Sequence, residues 1–427
     1  MSAEAVAPAV KRCPRCGHSF GCGQGEPGCW CESVVLSRET LAQLRSLAED
    51  CLCPDCLAGF AEEEAESGAG ERHGVWAKAV PHDAVRARGV PPVWAVTAAL
   101  LLGGAVLAGL AVGPVGIGVG AIAQSLLAKL PLLHVHSPLA AVDEAILWQL
   151  RAPRIVLAAL VGAMLAIAGS AYQGVFRNPL ADPYLLGVAA GAGLGATLVI
   201  AYAPARAASG ELLPLAAFAG AAVAVAAAYL LGRSVAGVRS SGVLILAGVT
   251  VAAFLTAVQT FVQQQHSQTL QAVYSWLLGG FGAASWHQVV LVSPYIAVSA
   301  TAILLQRRLL DVINLGDEEA ASLGLDVRRV RLLIVVAATV GTAAAVAVSG
   351  LIGFVGIIVP HTIRLLVSSS YRAIVPLSLL VGGAFLVLTD LLARTVMSPA
   401  ELPIGVVTAF FGAPFFALVL RTTRRFG

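Results

Sequence analysis

LLIVVAATVGTAAAVAVSGLIGFVGIIVPHTI, residues 332–363, is a run of 32 residues without a charged side chain. About 20 helical residues cross a hydrocarbon core of roughly 30 Å, so this run is too long for one span unless it tilts steeply. Ser349-Gly350 and Gly353 interrupt it near the middle. It therefore reads as two helices, the second short and ending at Pro360-His361, because proline lacks a backbone donor and stops helices. One helix or two decides the side of the membrane on which every later loop lies.

Working outward, further uncharged stretches run Val93–Val112, Ile155–Phe176, Tyr184–Tyr202, Leu212–Gly232, Gly242–Val262, Gln288–Leu305, Ile374–Thr389 and Leu402–Leu420. Together with the split run they make ten spans. Lys and Arg concentrate on the cytoplasmic side of membrane proteins, which tests that count. With ten spans and a cytoplasmic N-terminus, the inner loops and tail hold Arg177, Arg233, Arg239, Arg307, Arg308, Arg328, Arg329, Arg331, Arg364, Arg372, Arg421, Arg424 and Arg425. The outer side receives only Lys129, Arg151, Arg154, Arg206 and Arg394. Nine spans would send the basic residues from Arg364 onward to the wrong side. The expectation is an all-α polytopic protein of about ten transmembrane helices in the cell inner membrane, with both termini cytoplasmic.

Composition agrees. The chain is 58% hydrophobic and 12% charged, about half the charge of a soluble domain, and 44 glycines suit helices packing through small residues in lipid. A net charge of +3 points to no nucleic-acid partner. Within the spans the ionisable Asp, Glu and Lys residues reduce to Asp390, near the outer end of the ninth. That argues against an ion-coupled carrier, which needs intramembrane ionisable groups, and against a charged-ring channel. No G-x-x-x-x-G-K-[ST] occurs, so the chain is expected to be no enzyme, and any ATP used must be hydrolysed by another chain.

All eight cysteines fall between Cys13 and Cys56, as Cys13-x₂-Cys16, Cys22, Cys29-x-Cys31 and Cys51-x-Cys53-x₂-Cys56. An acidic stretch (Glu62, Glu63, Glu64, Glu66) and Pro91-Pro92 mark the seam. The expected organisation is a cysteine-rich module over 1–60, a linker over 61–92 and a membrane domain over 93–427. The first 30 residues lack an apolar core and do not read as a signal peptide. A C-x₂-C pair lets two thiolates meet one ion, and four thiolates close a structural zinc site; eight could close two. Zinc is the expected cofactor, because thiols persist in a reducing cytoplasm and a small segment with little apolar core needs a staple. An iron–sulfur or other metal centre, or disulfides, are the alternatives, and His18 is a possible substitute ligand.

Three polar, Gly/Pro-rich stretches stand at span ends: Arg151-Ala-Pro-Arg154 followed by AIAGSAYQGVFRNPLADPYLLGVAAGAGLG (166–195); LLGGFGAASW (277–286); and NLGDEEAASLGLDVRRVR (314–331), continued by SGLIGFVGIIVPHTIRLL (349–366) and PAELPIGVVTAFFGAPFF (399–416). In order, from about residue 93 to 425, they resemble the FecCD/cobalamin-type permeases of ABC importers. That resemblance implies the type II importer permease fold and a homodimer. It implies two ATP-binding subunits in the cytoplasm and an extracytoplasmic substrate-binding protein as partners, with lipid around the spans. The cargo would be an iron chelate, haem or cobalamin. Cys13-Pro-Arg-Cys16-Gly with Phe20, Cys29-Trp30-Cys31 and Cys51-Leu-Cys53-Pro-Asp-Cys56-Leu resemble the small bacterial cysteine-rich CWC family.

Gly316, Asp317, Glu318, Glu319, Ala320, Ala321, Ser322, Leu323, Gly324 and Leu325 lie in a basic inner loop. Asp317 is expected to cap a short helix, Glu318 and Glu319 to favour its N-terminal dipole and Gly324 to end it. The resemblance makes this the coupling helix that docks on the ATPase; an ordinary solvated loop helix is the alternative. Arg151, Arg154 and Arg394 occupy the positions at which the family's arginines meet glutamates of the binding protein; interfacial helix-end arginines are the alternative. Asn178–Pro183 reads as a structural turn, His361 as a satisfied structural residue, and His134/His136 as loop residues with metal capture a weaker possibility. A metal-responsive sensor and an ATP-independent secondary transporter are the competing functions.

Overall fold

The computed structural model describes residues 9–16, 18–22, 44, 52–54, 56–57, 89–129, 137–205, 212–234 and 241–423. Two compact units divide the chain, Met1–Ala87 and Arg88–Gly427. In the first, β1 (Ala9–Arg12) and β2 (Ser19–Cys22) form an antiparallel hairpin with Ala9 opposite Cys22 and Arg12 opposite Ser19. Cys29, Cys31 and Cys51 lie outside the described residues, as do the linker acids and His134/His136.

The described elements of the second unit are all helical. Its helices are α1 (Pro92–Ala111), α2 (Val119–Ala128), α3 (Ala141–Phe176), α4 (Val188–Tyr202), α5 (Leu212–Ser234), α6 (Ser241–Gln265) and α7 (Leu270–Leu277). They continue as α8 (Trp286–Ile313), α9 (Asp317–Ser322), α10 (Val327–Ser349), α11 (Val355–Leu366), α12 (Tyr371–Thr395) and α13 (Ile404–Thr423). Seven of them (α1, α3, α5, α6, α8, α10 and α12) are long and apolar enough to cross a membrane, and α2, α4, α11 and α13 are shorter apolar helices. All of these but α2 occupy the stretches expected to span.

The long run at 332–363 does split. α10 ends at Ser349, and five non-helical residues precede α11. Backbone away from water must find internal partners, and here it does: Tyr184 Oη donates to Ile352 O at 2.9 Å and accepts from Ile352 N at 3.1 Å. Gly280 N reaches Ser349 O at 2.9 Å. One expectation fails. α11 does not end at Pro360 but runs through it to Leu366. Proline cannot bond the carbonyl four residues back, which leaves Gly356 O free, and Gln173 Nε2 of α3 takes it at 3.0 Å. A side chain 183 residues away makes the proline tolerable.

α3 is the centre of the bundle, with nearly every residue from Ala152 to Phe176 buried. Neighbours reach it through missing side chains. A Cβ on Gly169 would sit 2.0 Å from Gly356 O of α11, and one on Gly162 would sit 2.3 Å from Gly382 O of α12. In lipid, helices associate by packing rather than by a hydrophobic drive, and backbone contact of this kind maximises it.

Candidate functional sites

In the N-terminal unit the two C-x₂-C pairs converge. The sulfurs of Cys13, Cys16, Cys53 and Cys56 all lie within 4.8 Å of one another, with Cys16 Sγ and Cys53 Sγ 3.5 Å apart. A tetrahedral zinc with Zn–S bonds of about 2.3 Å separates its sulfurs by roughly 3.8 Å, so the donor set fits such an ion. Burial raises the Cys13 thiol pKa, but backbone hydrogen bonds from Cys53, Cys16 and Arg15 outweigh it and bring the pKa down to about 6. The side chain of Cys53, then burial, pushes Cys56 up to about 12. Four sulfurs crowded together want a cation to hold them as thiolates. Cys22 is placed on β2; of the remaining expected ligands nothing is described.

Charged residues mark both ends of the buried part of α3, Arg154 within it and Arg177 as its C-cap. The 23 helical steps from one to the other rise roughly 35 Å, close to one hydrocarbon thickness. Near Arg177, α9 stands exposed between α8 and α10. Asp317 is not its cap as expected. Gly316 holds that position, at φ 148° and with no side-chain hydrogen bond, and Asp317 faces basic residues instead, paired with Arg177 and, at 2.9 Å, with Arg331. The C-terminus follows the expected chemistry: Gly324 takes φ +81°, its amide bonds Ala321 O at 2.9 Å and Leu325 N bonds Ala320 O at 3.1 Å, the closing pattern glycine makes cheap. Glu318 and Glu319 lie in the first turn.

At the other end, Arg154 and Arg394 come together on Asp390, Arg154 also on Glu401, while Arg151 turns onto backbone carbonyls. Arg154 grips Asp390 through Nε (3.0 Å to Oδ1, 3.1 Å to Oδ2) and Nη2 (2.8 Å to Oδ1). It also grips Glu401 through Nη1 (2.8 Å) and Nη2 (3.0 Å). Arg394, inside the last turn of α12 rather than beyond it, sits 3.7 Å from Asp390 and donates to Gly109 O. Arg151 closes a π-helical turn (Ile146–Arg151) and donates to Leu110 O at 2.7 Å and to Val115 O. Arg151 and Arg394 are buried in the single chain and turned onto its own carbonyls. Glu401 was not anticipated. Its signal is faint: one acid in PAELP, 247 residues from its partner.

His361 packs edge-to-face on Phe415, centroids 5.9 Å apart, as a structural histidine would. Asn178 and Asp182 make the expected turn contacts, accepting from Leu180 N at 2.9 Å and Tyr184 N at 2.8 Å.

A glycine-packed helical bundle, with polar clusters at both ends and broken helices between, defines a membrane permease. The chain belongs to the FecCD transport family, whose model matches residues 99–422; residues 13–58 match the cysteine-rich CWC domain. It is 42% identical over 285 residues to the Bacillus subtilis ABC transporter permease protein YvrB (66% of this chain, 80% of that one). It is likewise 42% identical over 278 residues to the Halobacterium salinarum cobalamin import permease BtuC (65% and 74%). The Yersinia pestis hemin transport permease HmuU is 38% identical over 278 residues (64% and 82%). A solved inward-facing metal-chelate type ABC transporter superposes with a TM-score of 0.67 at 28% identity, covering 78% of this chain and all of the other. The chain is a permease of the iron-chelate, haem and B12 importer family.

Proposed function

We propose that two copies of this chain form the membrane path of an importer for an iron chelate, haem or cobalamin. Two cytoplasmic ATPase subunits drive it by alternating access, and an outer binding protein delivers the cargo. Both termini lie in the cytoplasm, and ATP is hydrolysed by the partner chains. The observation that carries this reading is α9: a short exposed helix, fixed to two membrane helices through Asp317 with Arg177 and Arg331, so that a push on it reaches α3 and α10. Gly316–Leu325 is the coupling segment. Relatives named for cobalamin, Fe(3+)-citrate and hemin support the cargo class. At the opposite end, Arg154, with Arg151 and Arg394 behind it, serves docking of the binding protein.

The test is ATP-dependent uptake in proteoliposomes with the ATPase and binding protein. Asp317→Ala is expected to cut uptake about tenfold, within the usual range of coupling energies. Its pairs are half exposed and contribute only about 0.5–1 kcal/mol to stability, so folding should persist. Uptake at the wild-type rate would remove α9 from the coupling path.

For the module we propose zinc as the cofactor, held by Cys13, Cys16, Cys53 and Cys56 and supplying cross-linking rather than chemistry. Metal analysis of the full chain should lose one zinc per chain on Cys53→Ser. Because protons compete for the thiolates, zinc is expected to be released on acidification. Iron in place of zinc, or no change on substitution, would overturn it.

A further inference from the structure

We infer that the Arg154 guanidinium is a carboxylate-exchange site: Glu401 occupies it in the free protein, and an acidic side chain of the docking partner takes Glu401's place. This rests on the docking reading above, and adds to it the residue that must leave.

The geometry separates a permanent carboxylate from a removable one. Asp390 has 1% of its side chain exposed and serves both Arg154 and Arg394; it cannot leave without stranding Arg394. Glu401 has 46% of its side chain exposed and pairs with Arg154 by two parallel bonds. Arg154 itself is only 13% exposed. A cation so desolvated needs a counter-charge at all times, and a fork-shaped guanidinium accepts any carboxylate in the same geometry. Exchanging one carboxylate for another keeps Arg154 paired throughout, so docking is cheap but not free: the partner must outcompete a tethered rival.

The tether gives the exchange a consequence. Just beyond Glu401, Ile404 N bonds Gly279 O at 3.1 Å and Gly405 N bonds Leu278 O at 3.0 Å. The next residue of that loop, Gly280, bonds Ser349 O at 2.9 Å. Glu401 therefore anchors a segment stitched to the α7–α8 loop and, through it, to the break between α10 and α11. Releasing Glu401 removes one hold on this segment, leaving the bond from Leu402 N to Ala393 O at 2.9 Å beside it.

The experiment uses the full chain in lipid nanodiscs, with hexaglutamate as the acidic probe. Glu401→Gln is expected to bind it about tenfold more tightly than wild type, and Glu401→Asp, which keeps the charge, by much less. Glu144→Gln removes the same charge from the Lys129 pair and should change binding less than about twofold. Adding Arg154→Met to Glu401→Gln should abolish the gain. Hydrogen exchange provides the second readout: hexaglutamate should speed exchange at 278–283 and 396–405 in the wild type. A purely structural Glu401 would show faster exchange in the variant and no response to the probe in wild type. Equal affinity of Glu401→Gln and wild type, or an equal gain in Glu144→Gln, overturns the exchange while leaving docking intact. Hexaglutamate binding to neither form overturns the docking reading and the exchange with it.

Discussion

Asp390→Ala is expected to lower the stability of the membrane domain by about 3–5 kcal/mol, the usual cost of removing one partner from a buried ion pair. Asp390 holds Arg154 at 2.8 Å and Arg394 at 3.7 Å, and its side chain is almost wholly inaccessible. Glu401 would still neutralise Arg154, but Arg394 would keep Gly109 O alone among these partners, a dipole facing a full charge. The apparent melting temperature in nanodiscs should fall by roughly 5 °C. A buried pair replaced as a whole often costs little, so Asp390→Leu with Arg394→Met should recover most of the loss. A single variant that melts like the wild type would show that the cluster is solvated.

The second large effect belongs to Gly169. Its would-be Cβ lies 2.0 Å from Gly356 O and 2.4 Å from Gly356 Cα, which are backbone atoms that no rotamer change can move. Gly169→Ala must push α3 and α11 apart and should cost about 1–3 kcal/mol. Gly169→Leu should give no monodisperse protein by size-exclusion chromatography. Gly103 of α1 is the control, with nothing within 4 Å of its built Cβ. Gly103→Ala should be neutral or slightly stabilising, since alanine is the better helix former. If both alanine variants behave alike, close backbone approach at Gly169 is not what sets helix spacing.

The spans were legible because one physical rule, the thickness of the hydrocarbon core, writes itself along the chain as apolar runs of fixed length. The division of 332–363 was legible because Ser349-Gly350 and Gly353 weaken a helix locally. What stayed hidden depends on partners far away in sequence. Pro360 looked like a helix end until Gln173 supplied the missing bond. Asp317 looked like a cap because its neighbours said so, whereas Arg177 and Arg331 claim its carboxylate and Gly316 takes the cap position. Arg151 and Arg394 were matched to docking positions by resemblance alone, with snorkelling the alternative, and that both turn onto carbonyls of the chain around α1 needed the fold. α2 and α7 are short helices in stretches that offered no periodic signal long enough to read. The Cys13/Cys16 and Cys53/Cys56 pairing was visible as two C-x₂-C spacings; that these two pairs converge required the fold.

The glycine contacts around α3 bear on heat as well as on shape. When helices that touch backbone to backbone in lipid separate, the surface they uncover meets acyl chains, not water. The large heat-capacity change that bends a soluble protein's stability curve comes from hydrating apolar groups. Here that term is small, so the membrane domain's stability should vary almost linearly with temperature and show no cold-side decline, unlike a soluble protein of equal size.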